Sequence, residues 1–276
     1  MKKVNALVLG LAVLLAFGCG GDEPEPVNPD SNNNPDNSNT VKCLITRRIH
    51  DSPTVYTTTY ELNAQNKVLK STSYTNGSYR YESVYEYDNL GRKIKAERKD
   101  GNFIIEYFTF EYNAAGQLEK RTNFYRGSST SPLTLNGWYF YEYDTSNRLI
   151  KWSDFASGSP NAPMAFRNYA YPAANKITEA LYIIKSGTPT WQDSIEYILD
   201  GHKRPLTTGS SLDKMELLTN QNILSEKQTY DNGPGTTINI ENYTYQYNAD
   251  GFPTQVMRSF NGSPSVLHAD YTYNCQ

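Results

Sequence analysis

Residues 85–92 read Tyr-Glu-Tyr-Asp-Asn-Leu-Gly-Arg, and this pattern recurs at residues 110–117, 141–148 and 245–252. Each copy has two aromatic residues around one polar residue, then Asp or Asn, and then Gly or Asn three places later. Asp and Asn favour the first position of a turn, and Gly and Asn most easily adopt the positive φ that closes a bulged hairpin. The pattern therefore predicts a series of β-hairpins that close in the same way.

The last position of the pattern, with its weaker copies included, marks the predicted turns. Apart from Lys203, this position holds Gly or Asn in every copy: Asn66, Gly91, Gly116, Asn147, Asn175, Asn222 and Gly251. A second glycine series, from Gly77 to Gly262, alternates with the first, and several of its members follow Asn or Asp as in tight hairpins. The fold class predicted is all-β, an antiparallel meander of about 18 strands built from repeated hairpins and curled into a closed or flattened barrel or shell.

One stretch interrupts this spacing. Residues 210–222 contain Leu212, Met215 and Leu218 at helical intervals. A single helical turn and an irregular strand pair both fit this segment.

The first forty residues predict export. Lys2 and Lys3 precede an apolar stretch over residues 4–17, and Gly18-Cys19 follows, which resembles the bacterial lipobox. We expect a lipoprotein signal peptide over residues 1–18, lipid on Cys19, and a disordered, acidic, Pro- and Asn-rich tether over residues 19–40 before the β domain of residues 41–276. The acidic run after Cys19 resembles the surface-export signal of Bacteroidota lipoproteins. It indicates the outer membrane, with the domain at the cell surface or, alternatively, facing the periplasm.

The composition excludes two classes of protein. The formal net charge is −3 and the sequence pI is about 5.7, so the chain lacks the basic footprint of a nucleic-acid binder. The second excluded class is the polytopic membrane protein, because after residue 18 no apolar run approaches the roughly 20 residues of a membrane-spanning helix.

The repeats resemble the YD repeats of Rhs and insecticidal-toxin shell proteins. The resemblance rests on Tyr87-Asp88, Gly91-Arg92 and Tyr143-Asp144 and their variants, and it covers residues 42–276. In the large relatives, such repeats wind into a hollow β-shell. This chain lacks a recognisable toxin segment, so it is most similar to the small YD-repeat lipoproteins of Bacteroidota.

Two cysteines remain after lipidation, Cys43 and Cys275, one at each end of the domain. In the repeat register the last strand is the first half of a hairpin and the first strand is the second half. Their pairing would remove both sheet edges, and we expect a disulfide between them in an oxidising compartment.

The sequence carries no motif that indicates catalysis. No His, Cys and carboxylate group has the spacing of a metal site, and no nucleophile motif is present, so we expect no enzyme activity, metal or cofactor. The expected role is a structural or protein-interaction domain. The alternative is glycan binding through Trp138, Trp152 and Trp191, which lie off the repeat consensus. The longest predicted loops, residues 127–137 and 156–164, are where we expect a site.

Overall fold

The computed structural model describes residues 43–204, 214–233 and 235–275, which contain sixteen strands and one short helix. The predicted signal peptide, Cys19 and the tether lie outside the described residues. The strands are β1 Cys43–Asp51, β2 Thr54–Leu62, β3 Val68–Thr75, β4 Ser78–Tyr87, β5 Lys93–Asp100, β6 Phe103–Tyr112, β7 Leu118–Tyr125, β8 Thr134–Tyr143, β9 Leu149–Ala156, β10 Ala165–Ala173, β11 Lys176–Lys185, β12 Thr188–Lys203, β13 Gln221–Asp231, β14 Thr236–Tyr247, β15 Pro253–Phe260 and β16 Val266–Cys275. The helix is α1, Lys214–Leu218.

The strands form one closed antiparallel barrel. Each strand pairs with the next along the chain, and β1 pairs with β16 to close the sheet. This confirms the predicted meander and its closure. The described residues contain two strands fewer than the predicted number because a helix stands where the irregular stretch allowed a strand pair. Met215 and Leu218 of that helix are buried in the same core as the strands.

The motif turns explain why Asp or Asn recurs in the repeat. In the turn that begins at Asp88, Oδ1 of this residue accepts the backbone N–H groups of Leu90 at 3.0 Å and Arg92 at 2.8 Å. Gly91 closes the turn with a φ of +71°, and its N–H donates to the Asp88 carbonyl. The same side-chain bonds recur in the turns that begin at Asn63, Asn113, Asp144 and Asn248.

Five of the seven predicted turn positions have positive φ: Asn66, Gly91, Gly116, Asn147 and Gly251. Asn175 lies in a two-residue turn between β10 and β11 and does not have positive φ. The prediction of a turn at Asn222 is wrong, because β13 already begins at Gln221, which pairs with Lys203. Asn222 is instead buried, and its side-chain amide donates to Asp200 at 3.2 Å.

The motif turn at Asp144 predicts a pH effect. The backbone N–H and the guanidinium of Arg148 both donate to this carboxylate and lower its pKa. A carboxyl group whose pKa is lower in the folded state contributes stability above its unfolded value of about 4, and this contribution is lost as the pH falls through the folded value. We expect a ¹³C NMR titration to give Asp144 a pKa below the unfolded-chain value of about 4, and Arg148→Gln to raise it. If the pKa of Asp144 is the same in the unmodified protein and in Arg148→Gln, the role given to Arg148 is wrong.

Tyrosine hydroxyl groups join successive hairpins. Tyr112 on β6 donates to the carbonyl of Lys93 at 2.7 Å, and Lys93 begins β5 at a shift in the strand register. Burial, reinforced by the charge of Asp88, raises the pKa of Tyr112 to about 12, so its hydroxyl remains a donor at neutral pH. Equivalent bonds of 2.6–2.9 Å run from Tyr87 to Val68, Tyr171 to Leu149, Tyr245 to Ile223 and Tyr273 to Pro253. Each of these hydroxyl groups donates to a backbone carbonyl that lies beside a shift in the strand register.

We expect Tyr112→Phe to lower the free energy of unfolding by about 1–3 kcal/mol, because it leaves the Lys93 carbonyl without its hydroxyl donor. Urea unfolding followed by circular dichroism measures this difference. The control Tyr125→Phe changes an exposed tyrosine at the other end of the barrel and should alter stability by less than about 0.5 kcal/mol. Equal effects of the two substitutions would show that the hydroxyl contact contributes nothing.

The closing strands carry the disulfide. Cys43 and Cys275 lie directly opposite each other in the β1–β16 register and are bonded. Beside this seam on the outer side, the Asp270 carboxylate contacts Nε2 of His50 at 2.6 Å and Arg48 at 3.3 Å.

Candidate functional site

The barrel wall separates the three tryptophans. Alternate residues of each strand face inward, and the inward positions hold the buried core, such as Phe108, Phe110 and Tyr141. Trp152 is paired with Tyr141 and lies inside, where its ring lies between the guanidinium groups of Arg167 at 5.3 Å and Arg121 at 5.7 Å. Trp138 and Trp191 face outward, so the three residues do not form one ligand platform.

The outward side of seven adjacent strands carries a group of aromatic residues, which we call the outward patch. Its members are Tyr107, Phe124, Trp138, Phe140, Phe155, Phe166, Tyr182 and Trp191, one or two on each of β6 to β12. Neighbouring strands place them in contact. The Trp138 and Phe155 rings are stacked at 6.3 Å, the Phe166 and Tyr182 rings are stacked at 5.0 Å, and Tyr107 contacts Phe124 at 5.7 Å.

Two exposed aliphatic residues extend the outward patch. Leu135 lies opposite Phe124 and is 38% exposed, and Met164, immediately before β10, is 45% exposed. Each lies within one of the two segments that the sequence predicts as binding loops. The site is therefore built mainly on strands, and the predicted loops contribute only to its margin.

A shallow groove of about 340 Å³ adjoins the outward patch. Its floor consists of small outward residues on β10 to β12, namely Ala170, Thr178, Ala180 and Ser194. Its rim is polar, with Asn168, Glu196 and Lys227. On the outward face of β11, Tyr182 follows Ala180, and on the outward face of β12, Trp191 precedes Ser194. The groove therefore leads directly to the aromatic residues.

The outward side of β2 to β5 carries several ion pairs. Glu61 pairs with Lys70 at 2.8 Å across β2 and β3, and Lys95 on β5 contacts both Glu86 and Glu97 within 3.0 Å. Ion pairs of the same kind also lie on β6 to β12, such as Lys151 with Glu142 and Lys176 with Glu196, and Tyr74 on β3 contacts Tyr79 on β4.

The interior contains charged groups that neutralise one another. Glu179 is 2% exposed and accepts the Arg167 guanidinium at 2.9 Å and the Tyr197 hydroxyl at 3.1 Å. Asp154 also faces inward, and burial raises its pKa, although the charges of Arg167 and Arg121 oppose the shift. These groups hold the wall together at β9 to β12.

Arg121 is held by rings rather than by a carboxylate in contact. Its side chain is 4% exposed, and its guanidinium lies 4.2 Å from the Tyr139 ring centroid and 5.5 Å from that of Phe108. Its Nε and Nη1 atoms are buried without a hydrogen-bond partner. Cation–π contact stabilises this buried cation.

The three histidines lie apart. His50 contacts Asp270 on the outer side, His202 stacks on Tyr247 at 4.4 Å, and His268 lines an inner cavity. Among the described residues there is no group of three or more His, Cys, Asp or Glu that could hold a metal ion.

Sequence reasoning missed most of the outward patch, including Phe155, Phe166 and Tyr182. Strand alternation contained the information, because each of these residues lies an odd number of positions from an inward residue on its own strand and so faces outward. Reading it requires the register of each strand, which the register shifts change at several hairpins.

The architecture defines a class, that of closed single-chain antiparallel barrels, and comparison with solved structures agrees. A porin-like protein from Bacteroides uniformis matches with a TM-score of 0.55 and 12% identity over 85% of this chain and 96% of that one. A porin-like protein from Bacteroides vulgatus has a TM-score of 0.37 at 10% identity, covering 83% and 97%, and a Bacteroides fragilis protein of unknown function has 0.33 at 12%, covering 48% and 87%. The first likeness shows the fold alone.

No protein-family model matches the chain, and no curated protein sequence is significantly similar to it. Within the part of the chain that the structure describes, no helix is both long and apolar enough to cross a membrane.

Proposed function

We propose that this chain is an exported lipoprotein whose barrel docks a partner protein through the outward patch. The proposal places the lipid on Cys19 and the domain at the outer surface of the outer membrane, with the periplasmic face as the alternative. Support for export comes from the lipobox-like Gly18-Cys19 and from the disulfide of Cys43 and Cys275. The resemblance of the repeats to those of small YD-repeat lipoproteins supports the same assignment. We propose no catalytic role.

The outward patch is the observation that carries this proposal. Aromatic residues and Met are enriched at protein interfaces, and Leu135 and Met164 expose aliphatic surface beside the rings. Seven strands at about 4.8 Å spacing span roughly 30 Å, which matches one side of an interface of about 800 Å². The occupant we propose is therefore a folded protein with an apolar contact face of that size.

Support for a barrel that faces water comes from the ion-paired side of β2 to β5. Strands in contact with lipid need an apolar outer face, and charged residues there are destabilising. Glu61, Lys70, Glu86 and Lys95 occupy outward positions on these strands. A lipid on Cys19 would then hold the domain at the membrane, and the barrel itself would remain in solvent.

Site-specific photo-crosslinking on intact cells of the native host tests this proposal. A benzoylphenylalanine at Tyr182 lies in the outward patch, and one at Tyr74, outward on β3, is the matched control. We expect a discrete protein adduct from position 182 that is absent from position 74 and is lost when Phe166→Ser is added. An adduct of twice the chain mass would indicate self-association and overturn the proposal, as would equal crosslinking from both positions.

Glycan binding is the second candidate, favoured by the polar groove beside Tyr182 and Trp191. Polar rim groups such as Asn168 and Glu196 can bond sugar hydroxyls, and the rings offer apolar faces. Tryptophan fluorescence with a panel of polysaccharides tests it. A saturable change that is lost in Trp191→Ala but kept in Trp152→Phe would support a glycan in the groove. A flat response across the panel would contradict it.

A further inference from the structure

The barrel interior changes character from one end to the other. Its packed core lies in the half next to the disulfide, where Tyr85, Phe110 and Tyr141 come shortly before motif turns and are at most 5% exposed. Met215 and Leu218 of α1, in the connection between β12 and β13, belong to the same buried cluster. Rings and aliphatic side chains therefore fill this end of the barrel.

The opposite end of the barrel, which we call the mouth, carries the turns at Gly77, Gly101, Gly187 and Gly262. Inward positions near the mouth hold three guanidinium–carboxylate pairs: Arg98–Glu106 at 2.7 Å, Arg167–Glu179 at 2.9 Å and Arg258–Glu241 at 3.8 Å. The three arginine side chains are 28–31% exposed although they face the interior. A barrel of sixteen strands is wide enough to leave water-filled space where no core packs. Solvent therefore reaches the interior through the mouth.

Charges of both signs line this half of the interior. Each of the three pairs places a carboxylate against a guanidinium group, and other inward positions add Arg47 and Arg121 as bases and Asp154 and Glu226 as acids. The lining therefore favours neither anions nor cations. It presents hydrogen-bond donors beside acceptors, which suits hydroxyl groups, because a hydroxyl both donates and accepts.

Aromatic rings stand at the rim of the mouth. Tyr125 on β7 lies inward opposite Glu106 and is 44% exposed, and Phe260 on β15 lies inward opposite Glu241 and is 45% exposed. Asn123, on the same side of β7 as Tyr125, is 7% exposed, and its Oδ1 atom is buried without a hydrogen-bond partner. Buried polar atoms in proteins normally have a partner, so Asn123 offers an acceptor to a ligand that enters the mouth.

We propose that the mouth binds a neutral oligosaccharide. Neighbouring sugar hydroxyls donate to the carboxylate and accept from the guanidinium of one pair, such as Arg98 and Glu106, and a further hydroxyl donates to Asn123. The apolar faces of the sugar rings pack on Tyr125 and Phe260. The mouths of β-barrels are common ligand sites, in which a few polar groups fix the orientation of the ligand. This inference goes beyond protein docking by the outward patch, because the mouth opens into the interior and the outward patch lies on the other side of the wall.

Isothermal titration calorimetry of the full chain at pH 7 tests the site with three uncharged probes, maltohexaose, xylohexaose and mannohexaose. We expect saturable binding of at least one of them, with an affinity about tenfold lower in Tyr125→Ala. The matched control is Tyr79→Ala, because Tyr79 is also 44% exposed and lies near the mouth, but faces outward opposite Tyr74. This control should leave the affinity unchanged. The absence of saturable heat with all three probes would overturn the proposal.

Maleimide labelling of single cysteines gives a second readout that does not depend on Tyr125. Ala165 lies inward near the mouth, opposite Asp154, whereas Ala170 lies on the floor of the outer groove. We expect Ala165→Cys to react in the native protein and the bound sugar to slow this reaction, with Ala170→Cys unaffected. Protection of Ala165→Cys in the absence of sugar would show that the mouth is closed and would overturn the proposal. Sugar binding that is weakened by Trp191→Ala but not by Tyr125→Ala would place the sugar in the outer groove, and would also overturn it.

Discussion

Arg167→Leu is expected to lower the free energy of unfolding by about 3–5 kcal/mol, because it leaves the Glu179 carboxylate buried without its cation. The carboxylate side chain is 1% exposed and receives the Arg167 guanidinium at 2.9 Å. The Tyr197 hydroxyl would remain as a donor, but a neutral hydrogen bond does not offset the loss of a buried ion pair. The midpoint of urea unfolding at pH 7 measures the effect.

Two further variants separate this ion pair from general damage to the wall. Adding Glu179→Gln to Arg167→Leu removes the unpaired charge and should restore part of the lost stability, as a double-mutant cycle reveals. Lys151→Met breaks the exposed contact with Glu142 and should cost less than about 1 kcal/mol. If Arg167→Leu is no more harmful than Lys151→Met, the buried pair is not a stabilising element of this barrel.

Removal of the disulfide is the second large effect that we expect. The bond joins residues 232 positions apart, and the loop-entropy model assigns such a crosslink about 5 kcal/mol, an upper value in practice. The double variant Cys43→Ser/Cys275→Ser should retain the barrel, because the β1–β16 ladder pairs seven residues on each strand. It should unfold at a markedly lower urea concentration than the oxidised protein.

Reduction of the unmodified protein provides the matched control for this prediction. Dithiothreitol should bring its unfolding midpoint to that of the double variant, and iodoacetamide should label neither Cys43 nor Cys275 before reduction. Identical midpoints for the oxidised and reduced proteins would show that the crosslink contributes nothing to stability.

The hairpin series could be predicted because its causes are local. Asp88 and Gly91 lie within one turn, and their side-chain acceptor and positive φ are properties of the residue types themselves. Closure could be predicted because the halves of the repeat at Cys43 and Cys275 complement each other. The predicted turn at Asn222 is wrong because the chain before it forms a helix, which is not part of the hairpin repeat. Met215 and Leu218 of this helix are buried in the core with the strand residues.

The site was less predictable because it depends on which side of the wall each residue faces. Trp138 and Trp152 lie fourteen positions apart in the sequence and on opposite sides of the barrel, because the turn between them and a register shift set their parity. Likewise, the acceptor of the Tyr112 hydroxyl is a carbonyl on the neighbouring strand, which no residue type identifies. Both facts follow from strand pairing, so the sequence pattern alone does not contain them.

The central claim is that each strand presents one side to a packed interior and the other to solvent, where the outward patch lies. Maleimide labelling of single cysteines tests it directly, with the native disulfide left intact. Ala96 and Ala269 are 0% and 1% exposed on inward positions, whereas Ala170 is exposed on the floor of the outer groove. We predict rapid labelling of Ala170→Cys and protection of Ala96→Cys and Ala269→Cys until urea unfolds the barrel. Rapid labelling of the two inward positions in the native protein would contradict the assignment of faces, and with it the outward patch.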